Sequence, residues 1–379
     1  MIEKVSENMR DPRLEKLAKT LLEYSNKVEA GQHVLIKGNI LAKPLIKELI
    51  KHTYRIGAYP HTEILDDEIG RELSLGNTEE RMEKVTGWNL EKYKDIDAFI
   101  SVFADENDSE YSDVPTEIKV MQARVGRPVS NLIVNTKQWV LLNYPTPSLA
   151  QKAKMSLEQF EDFLLDVCLV DYSKMNEAMK NLKALMERTD KVHITGPGTD
   201  LTFSIKGLQA IPCAGDCNIP DGEVFTAPVR ESVNGIIQYN TPSPYQGTVF
   251  NNVKLEFKDG KIINATADND VERLNEIFNT DEGARYVGEF AIGVNPLIKH
   301  PMGDILFDEK IDGSLHFTPG QAYEGEADNG NRSAIHWDLV LIQREEYGGG
   351  SIYFDDVLIR ENGRFVLPEL ECLNPENLI

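Results

Sequence analysis

The stretch SAIHWDL, residues 333–339, holds His336 and Asp338 two positions apart inside an apolar run. In an extended chain successive side chains alternate between faces, so residues i and i+2 share one. Ala334, His336 and Asp338 then look one way, and Ile335, Trp337 and Leu339 the other. An imidazole beside a carboxylate has two readings: a hydrogen-bonded pair that steadies a strand, or two ligands of a metal ion that needs further ligands elsewhere. Three other segments supply candidates. NIPDGEVFTAP (218–228) carries Glu223 just after a Pro-Asp-Gly turn, ARYVGEFAIGVNP (284–296) carries Glu289 in a strand-like run, and SLHFTPGQAYEGE (314–326) carries His316 and Tyr323. Taken singly, these are a turn cap, an edge charge and a core tyrosine with a wet hydroxyl. Together, Glu223, Glu289, Asp338, His316 and His336 make three carboxylates and two imidazoles. That donor set suits two borderline divalent ions, which sit about 3.5–4 Å apart around a shared carboxylate and a shared water. Zinc accepts these nitrogen and oxygen donors, and cobalt or manganese tolerates them.

Other chemistries lack their residues. The sequence has no GxGxxG after a strand, no GK[ST] phosphate loop, no GxSxG elbow and no HExxH helix. GPGTD (196–200) reads as a glycine-bearing turn, and YGGGS (347–351) as a close backbone approach or a bulge. The acidic run ADENDSEYSD (104–113) fails as a calcium loop, because Glu110 falls where the loop glycine belongs and Thr116 where the bidentate glutamate belongs. It reads as a solvated loop. His33, His52 and His193 have no matching acid cluster nearby in the sequence and read as satisfied structural side chains. Cys168, Cys213, Cys217 and Cys372 form no disulfide framework in so long a chain; a structural zinc at Cys213 and Cys217 has no second cysteine pair to complete it, and all four read as reduced thiols.

The elements that must position the candidates fall into two halves. A chain of 379 residues exceeds one ordinary core. Asp11-Pro12 starts a helix with Leu14, Leu17, Leu21, Leu22 and Val28 inward. HVLIK (33–37), AFISVF (98–103) and NLIVN (131–135) read as buried parallel strands. A helix with Pro44 in its first turn ends at Gly57, Ser156 and Gln159 form a capping box, and a further amphipathic helix spans roughly 173–188. After about Lys191 the texture becomes hairpins: KLEF-KDG-KIINATA (254–267) around Asp-Gly and DDVLIR-ENG-RFVL (355–367) around Asn-Gly, with one helix near 271–279. The expectation is an α/β domain with a mostly parallel sheet over 1–189, then a mainly antiparallel β domain over 190–379 that holds the metal site.

Asp plus Glu outnumber Lys plus Arg by 62 to 40, a formal charge of −22, which argues against nucleic acid or an anionic membrane surface as a partner. No stretch reads as a membrane-spanning helix, and the opening MIEKVSENMRD has no apolar signal-peptide core, so the expected location is cytoplasmic.

In this order, GEVFTAP, the glutamate of YVGEFAIGVNP, the H-x6-Y of HFTPGQAY and NRSAIHWD resemble the thermophilic-type dinuclear metalloaminopeptidases, the aminopeptidase T and aminopeptidase S family. The resemblance spans the chain. It implies metal ligands at Glu223, Glu289, His316, His336 and Asp338, with Glu289 nearest both ions, and Tyr323 as the active-site tyrosine. It further implies two divalent ions (Zn, Co, Mn or Mg), peptide substrates with a free N-terminus, proton transfer by Glu289 or Glu223, and a homodimer. One departure is Pro319 in FTPGQA, where small residues are expected. Two alternatives stand beside this reading. A ring-cleaving dioxygenase that resembles this family holds one iron with two His and one Asp, for which His316, His336 and Asp338 would serve; it would leave Glu223 and Glu289 without a task. An inactive peptide-binding homologue would not need an intact ligand set.

Overall fold

The computed structural model describes residues 11–379. The reading of the opening residues as leaderless therefore lies largely outside the described residues. The chain divides into two compact units, one running to Leu169 and taking in Gly215–Pro220, the other made of Val170–Ala214 and Asp221–Ile379. Helix Tyr172–Arg188, which ends at the expected boundary near 189, groups with the second unit.

In the first unit the strands lie side by side in the order Tyr59–Leu65, His33–Asn39, Ala98–Phe103, Gln138–Asn143 and Asn218–Ile219, all parallel. The helices flanking this sheet follow their sequence signals. Asp11 caps Pro12–Lys19 by accepting the Arg13 N–H, and Gly57 ends Lys43–Ile56 in the left-handed region at φ 87°. Ser156 and Gln159 close the capping box of Leu157–Cys168. One element differs from the sequence reading. NLIVN is the end of helix Thr116–Thr136, and the strand is the following QWVLLN. Leu132 and Ile133 pack on Leu35, Tyr93, Ile96 and Phe99, so the apolar run marks the buried side of a helix.

The second unit is antiparallel. An eight-stranded sheet includes Lys191–Gly196, Thr199–Ser204 and the two expected hairpins, whose turns Asp259-Gly260 and Asn362-Gly363 both have positive φ. A second sheet runs in the order Val340–Ile342, Ser314–Pro319, Val287–Gly293, Glu223–Thr226, Ile211–Cys213. Aromatic side chains from both sheets join them: Phe203 lies 5.0 Å from Phe290 and 4.9 Å from Phe317, centroid to centroid. Among the described residues no helix is long and apolar enough to cross a membrane.

Outside the second sheet, the remaining histidines have structural partners. His52 meets Glu23 at 2.7 Å, His193 meets Asp200 at 2.8 Å, and His33 meets His61 at 2.9 Å. The four cysteines are free thiols.

Candidate metal centre

Three neighbouring strands each carry one candidate, and register brings them together. Gly293 pairs with Glu223, Ala291 with His316, and Glu289 with Thr318. Alternation then sets Glu223, Glu289, His316 and Thr318 on one face, while Phe290 and Phe317 turn into the space between the sheets. The segment 335–339 lies alongside. Gln321 N–H donates to the Ile335 carbonyl at 2.7 Å, Trp337 N–H to the Pro319 carbonyl at 3.2 Å, and Phe317 N–H to the Leu339 carbonyl at 3.1 Å. Ile335, Trp337 and Leu339 are fully buried while His336 and Asp338 are half-buried, the alternation the i, i+2 pattern predicts. Pro319 ends its strand without breaking this pairing. Gly320 after it has φ +109°, and a Cβ there would come within 2.2 Å of the Ile335 carbonyl oxygen, so the close approach requires glycine.

All five predicted ligands converge. Glu289 stands between the two imidazoles: its Oε1 is 3.1 Å from His316 Nε2 and its Oε2 is 3.5 Å from His336 Nε2. Glu223 Oε2 is 3.5 Å from His316 Nε2, and Asp338 Oδ1 is 3.2 Å from His336 Nε2. His336 Nδ1 faces the Gln321 carbonyl at 2.8 Å; a carbonyl only accepts, so Nδ1 carries the hydrogen and Nε2 is left for the centre. Thr318 Oγ1 donates to Asp338 Oδ1 at 2.7 Å and fixes that carboxylate. The reading of His336 and Asp338 as a mere strand-steadying pair finds its contact, but the same nitrogen also faces Glu289. Tyr323 leaves the sheet on the loop after Gly320, its ring 5.1 Å from Phe225 and edge-on to His336 at 5.6 Å.

Three further residues, Lys310, Glu309 and Asp221, escape a reading of the sequence, and Cys213 is read there as a reduced thiol. Lys310 is 1% exposed, and its ammonium lies 2.5 Å from Glu223 Oε1, 2.6 Å from Glu309 Oε1 and 3.6 Å from Asp221 Oδ1. Glu309 also stands close enough to His316 and Asp338 to share an ion with them, as Cys213 and Asp221 do with Glu223. Nothing in DEKIDG marks a buried lysine; its place six residues ahead of His316 is the one hint.

The electrostatics are those of carboxylates gathered out of water. Burial works against charge on both imidazoles, yet the carboxylates outweigh it. Glu223 and Glu289 push His316 up to about 9, and Asp338 and Glu289 push His336 up to about 10. Asp338 goes the other way, held well below the usual carboxylate range by His336 despite its burial. Burial drives Glu223 upward, while Lys310 is kept charged by Glu223, Glu309 and Asp221 against its own burial. With an ammonium 2.5 Å from Oε1, the proton belongs on the lysine and Glu223 is a carboxylate. Its other oxygen, Oε2, is buried without a hydrogen-bond partner, as is His316 Nδ1. A bare carboxylate oxygen at that depth is costly unless a cation sits against it. The donor set, the orphaned Oε2 and the surplus of negative charge therefore fit divalent ions. One group is Glu223, Glu289 and His316; the other is Glu289, His336 and Asp338.

Comparison with known proteins supports metal-dependent hydrolysis. The profile of the thermophilic metalloprotease family (M29) matches residues 10–365. Aminopeptidase T of Thermus thermophilus is 28% identical, over 93% of this chain and 98% of its own. Aminopeptidase PepS of Streptococcus thermophilus is 27% identical, over 86% and 91%. The solved structure of wild-type AmpT from Thermus thermophilus shares the fold, with a TM-score of 0.82 at 23% identity over 94% of this chain and 99% of that one.

Proposed function

Because this chain belongs to the thermophilic metalloprotease family M29, a family of metal-dependent hydrolases, we propose that it is an aminopeptidase that removes N-terminal residues from peptides at a dinuclear centre. The observation that carries this reading is Glu289 set between two imidazoles, one oxygen facing each. Glu223 and His316 would hold one cation, His336 and Asp338 the other, and Glu289 both. Two bound divalent ions, whether Zn, Co, Mn or Mg, would supply an acidified water and polarise the scissile carbonyl.

The remaining tasks belong to side chains. The Tyr323 phenol is protonated at neutral pH, as any phenol is, and desolvation and then the charges of Glu289 and Asp338 push it further up although the residue as a whole is 55% exposed. It is therefore a hydrogen-bond donor, placed beside His336 where an oxyanion would form. Lys310 occupies one oxygen of Glu223 and so presents the other to the centre. Proton transfer from the water to the leaving amine falls to Glu289 or Glu223, either of which would have to release an oxygen from its cation to carry it. The surplus carboxylates favour the cationic or metal-bound α-amine of a peptide and disfavour acidic side chains. The single-iron dioxygenase reading gives Glu223 and Glu289 no task.

We further assign the chain as a cytoplasmic homodimer. Support for the dimer comes from helices Asp67–Leu75 and Thr116–Thr136, which bury no side chain completely and leave Ile69, Leu73, Val120 and Val134 exposed. The test of function is hydrolysis of aminoacyl p-nitroanilides after dialysis against chelator and again after Zn, Co or Mn is restored, with bound metal counted by elemental analysis. Activity indifferent to both treatments would refute the metallopeptidase reading.

A further inference from the structure

Beside the candidate centre, in the second unit, is a cavity of about 140 Å³ with His336 and Asp338 in its wall. We infer that this cavity receives the side chain of the substrate's N-terminal residue and selects for apolar groups up to the size of a benzene ring. The inference rests on the aminopeptidase reading, because only a scissile bond at the centre places an N-terminal side chain there.

Chemistry and size both point this way. Apart from the two candidate ligands, the walls include Pro242, Pro244, Tyr245 and Ile305. Asp308 also contributes, but both its oxygens are engaged, accepting the Met302 N–H at 2.5 Å and the Gly303 N–H at 3.0 Å. These two N–H groups make it a brace for the loop and offset part of its charge, which leaves it a weak receptor for a lysine or arginine. An apolar cavity of roughly 150 Å³ is known to hold benzene, so isobutyl, thioether and phenyl groups fit the space while an indole is too large. The cavity is also preformed. Thr241 Oγ1 donates to the Val340 carbonyl at 2.9 Å, and Tyr245 stacks on Trp337 with centroids 4.7 Å apart. Asp304 caps the short helix Ile305–Asp308, which carries two of the lining residues, by accepting the Leu306 N–H. A rigid apolar wall discriminates by filling, with one methylene worth roughly tenfold or more in kcat/KM.

The test uses the full-length, metal-loaded protein and Leu-, Phe-, Ala- and Lys-p-nitroanilides. Leu and Phe substrates are expected to exceed Ala and Lys by roughly tenfold or more in kcat/KM. Ile305, partly exposed at 41%, tolerates replacement. Ile305→Trp fills the cavity and is expected to lower the Leu:Ala ratio about tenfold, and Ile305→Ala to raise Phe relative to Leu. Binding of L-leucinol against L-alaninol by titration calorimetry gives a second readout, with the preference for leucinol lost in Ile305→Trp. Hydrolysis of all four substrates at similar kcat/KM, or ratios unmoved by both variants, overturns the pocket assignment and leaves the aminopeptidase reading standing. Failure of the metal-loaded protein to hydrolyse any of the four overturns both.

Discussion

Lys310→Met removes a charge and leaves a side chain of similar length. In the metal-free protein Lys310 is the ammonium against Glu223, Glu309 and Asp221, at 2.5, 2.6 and 3.6 Å, and 1% of it is exposed. Removing one member of a buried ion pair destabilises by about 3–5 kcal/mol, because the remaining charges are left unpaired away from water. For a unit of this size that is a drop of about 10 °C in Tm. The carboxyls escape part of the penalty by taking up protons. Their folded pKa then stands above the unfolded value, so the residual stability is fullest at low pH and is lost as pH rises. The deficit of the variant should therefore be larger at pH 8 than at pH 6. Divalent cations supply charge to the same carboxylates, so adding zinc should raise the Tm of Lys310→Met more than that of the parent. Thermal unfolding at both pH values, with chelator and with zinc, reads all of this. A metal-free Tm within about 1 °C of the parent would show that the ammonium does not hold these carboxylates together, a difference of only a few tenths of a kcal/mol.

Other perturbations address separate parts of the centre. Tyr323→Phe is expected to lower kcat roughly 100- to 1000-fold with bound metal unchanged, the signature of a lost oxyanion donor; a kcat within about threefold of the parent would remove the phenol from that role. His336→Ala should lose metal and activity together in elemental analysis and peptidase assay, since its Nε2 faces both Glu289 and Asp338; full metal occupancy would contradict this. Asp308 is pushed up to about 7 by burial from the ordinary 3.8, so the stability it contributes is complete below about pH 4 and falls as pH rises through 7. Asp308→Asn should remove a slope of up to about 1.4 kcal/mol per pH unit from denaturation curves in that window, and identical slopes would refute the assignment. An Asp-p-nitroanilide should be turned over well below its Leu counterpart, because the centre gathers carboxylates; equal rates would count against that field.

Legibility from sequence followed how local each signal was. HVLIK and AFISVF were readable because a strand covered on both sides is a continuous apolar run, and the capping box at Ser156 is written within four residues. NLIVN has the same composition as those strands, and only its packing on Tyr93 and Phe99 makes it helical. Strand Tyr59–Leu65 was invisible for the opposite reason: it lies at the sheet edge, largely exposed, and YPHTEIL has neither an apolar run nor a clean alternation. The i, i+2 geometry of His336 and Asp338 was local and legible. That Glu223, Glu289 and His316 share a face with them depends on strand pairings between distant segments, so the residue types could suggest the group but only a family resemblance could assemble it. Glu309 and Lys310 had no such help, since a lysine looks equally solvent-loving in sequence whether or not three acids close over it.

Three of the candidate ligands, Glu223, His316 and Glu289, sit one per strand at positions opposite Gly293, Ala291 and Thr318, and this arrangement divides the chain into places where length matters and places where it does not. Adding one residue between Phe290 and Gly293, beyond the irregular pairing at Gly288, would swing Glu289 out of phase with Glu223, into the oily layer beside Phe203, and bring an aromatic ring out in its stead. The same addition in the hairpin turn at Asp259-Gly260 would move nothing that touches the centre. Descendants of this sequence are thus free to lengthen their loops, while the three short ladders are frozen in phase.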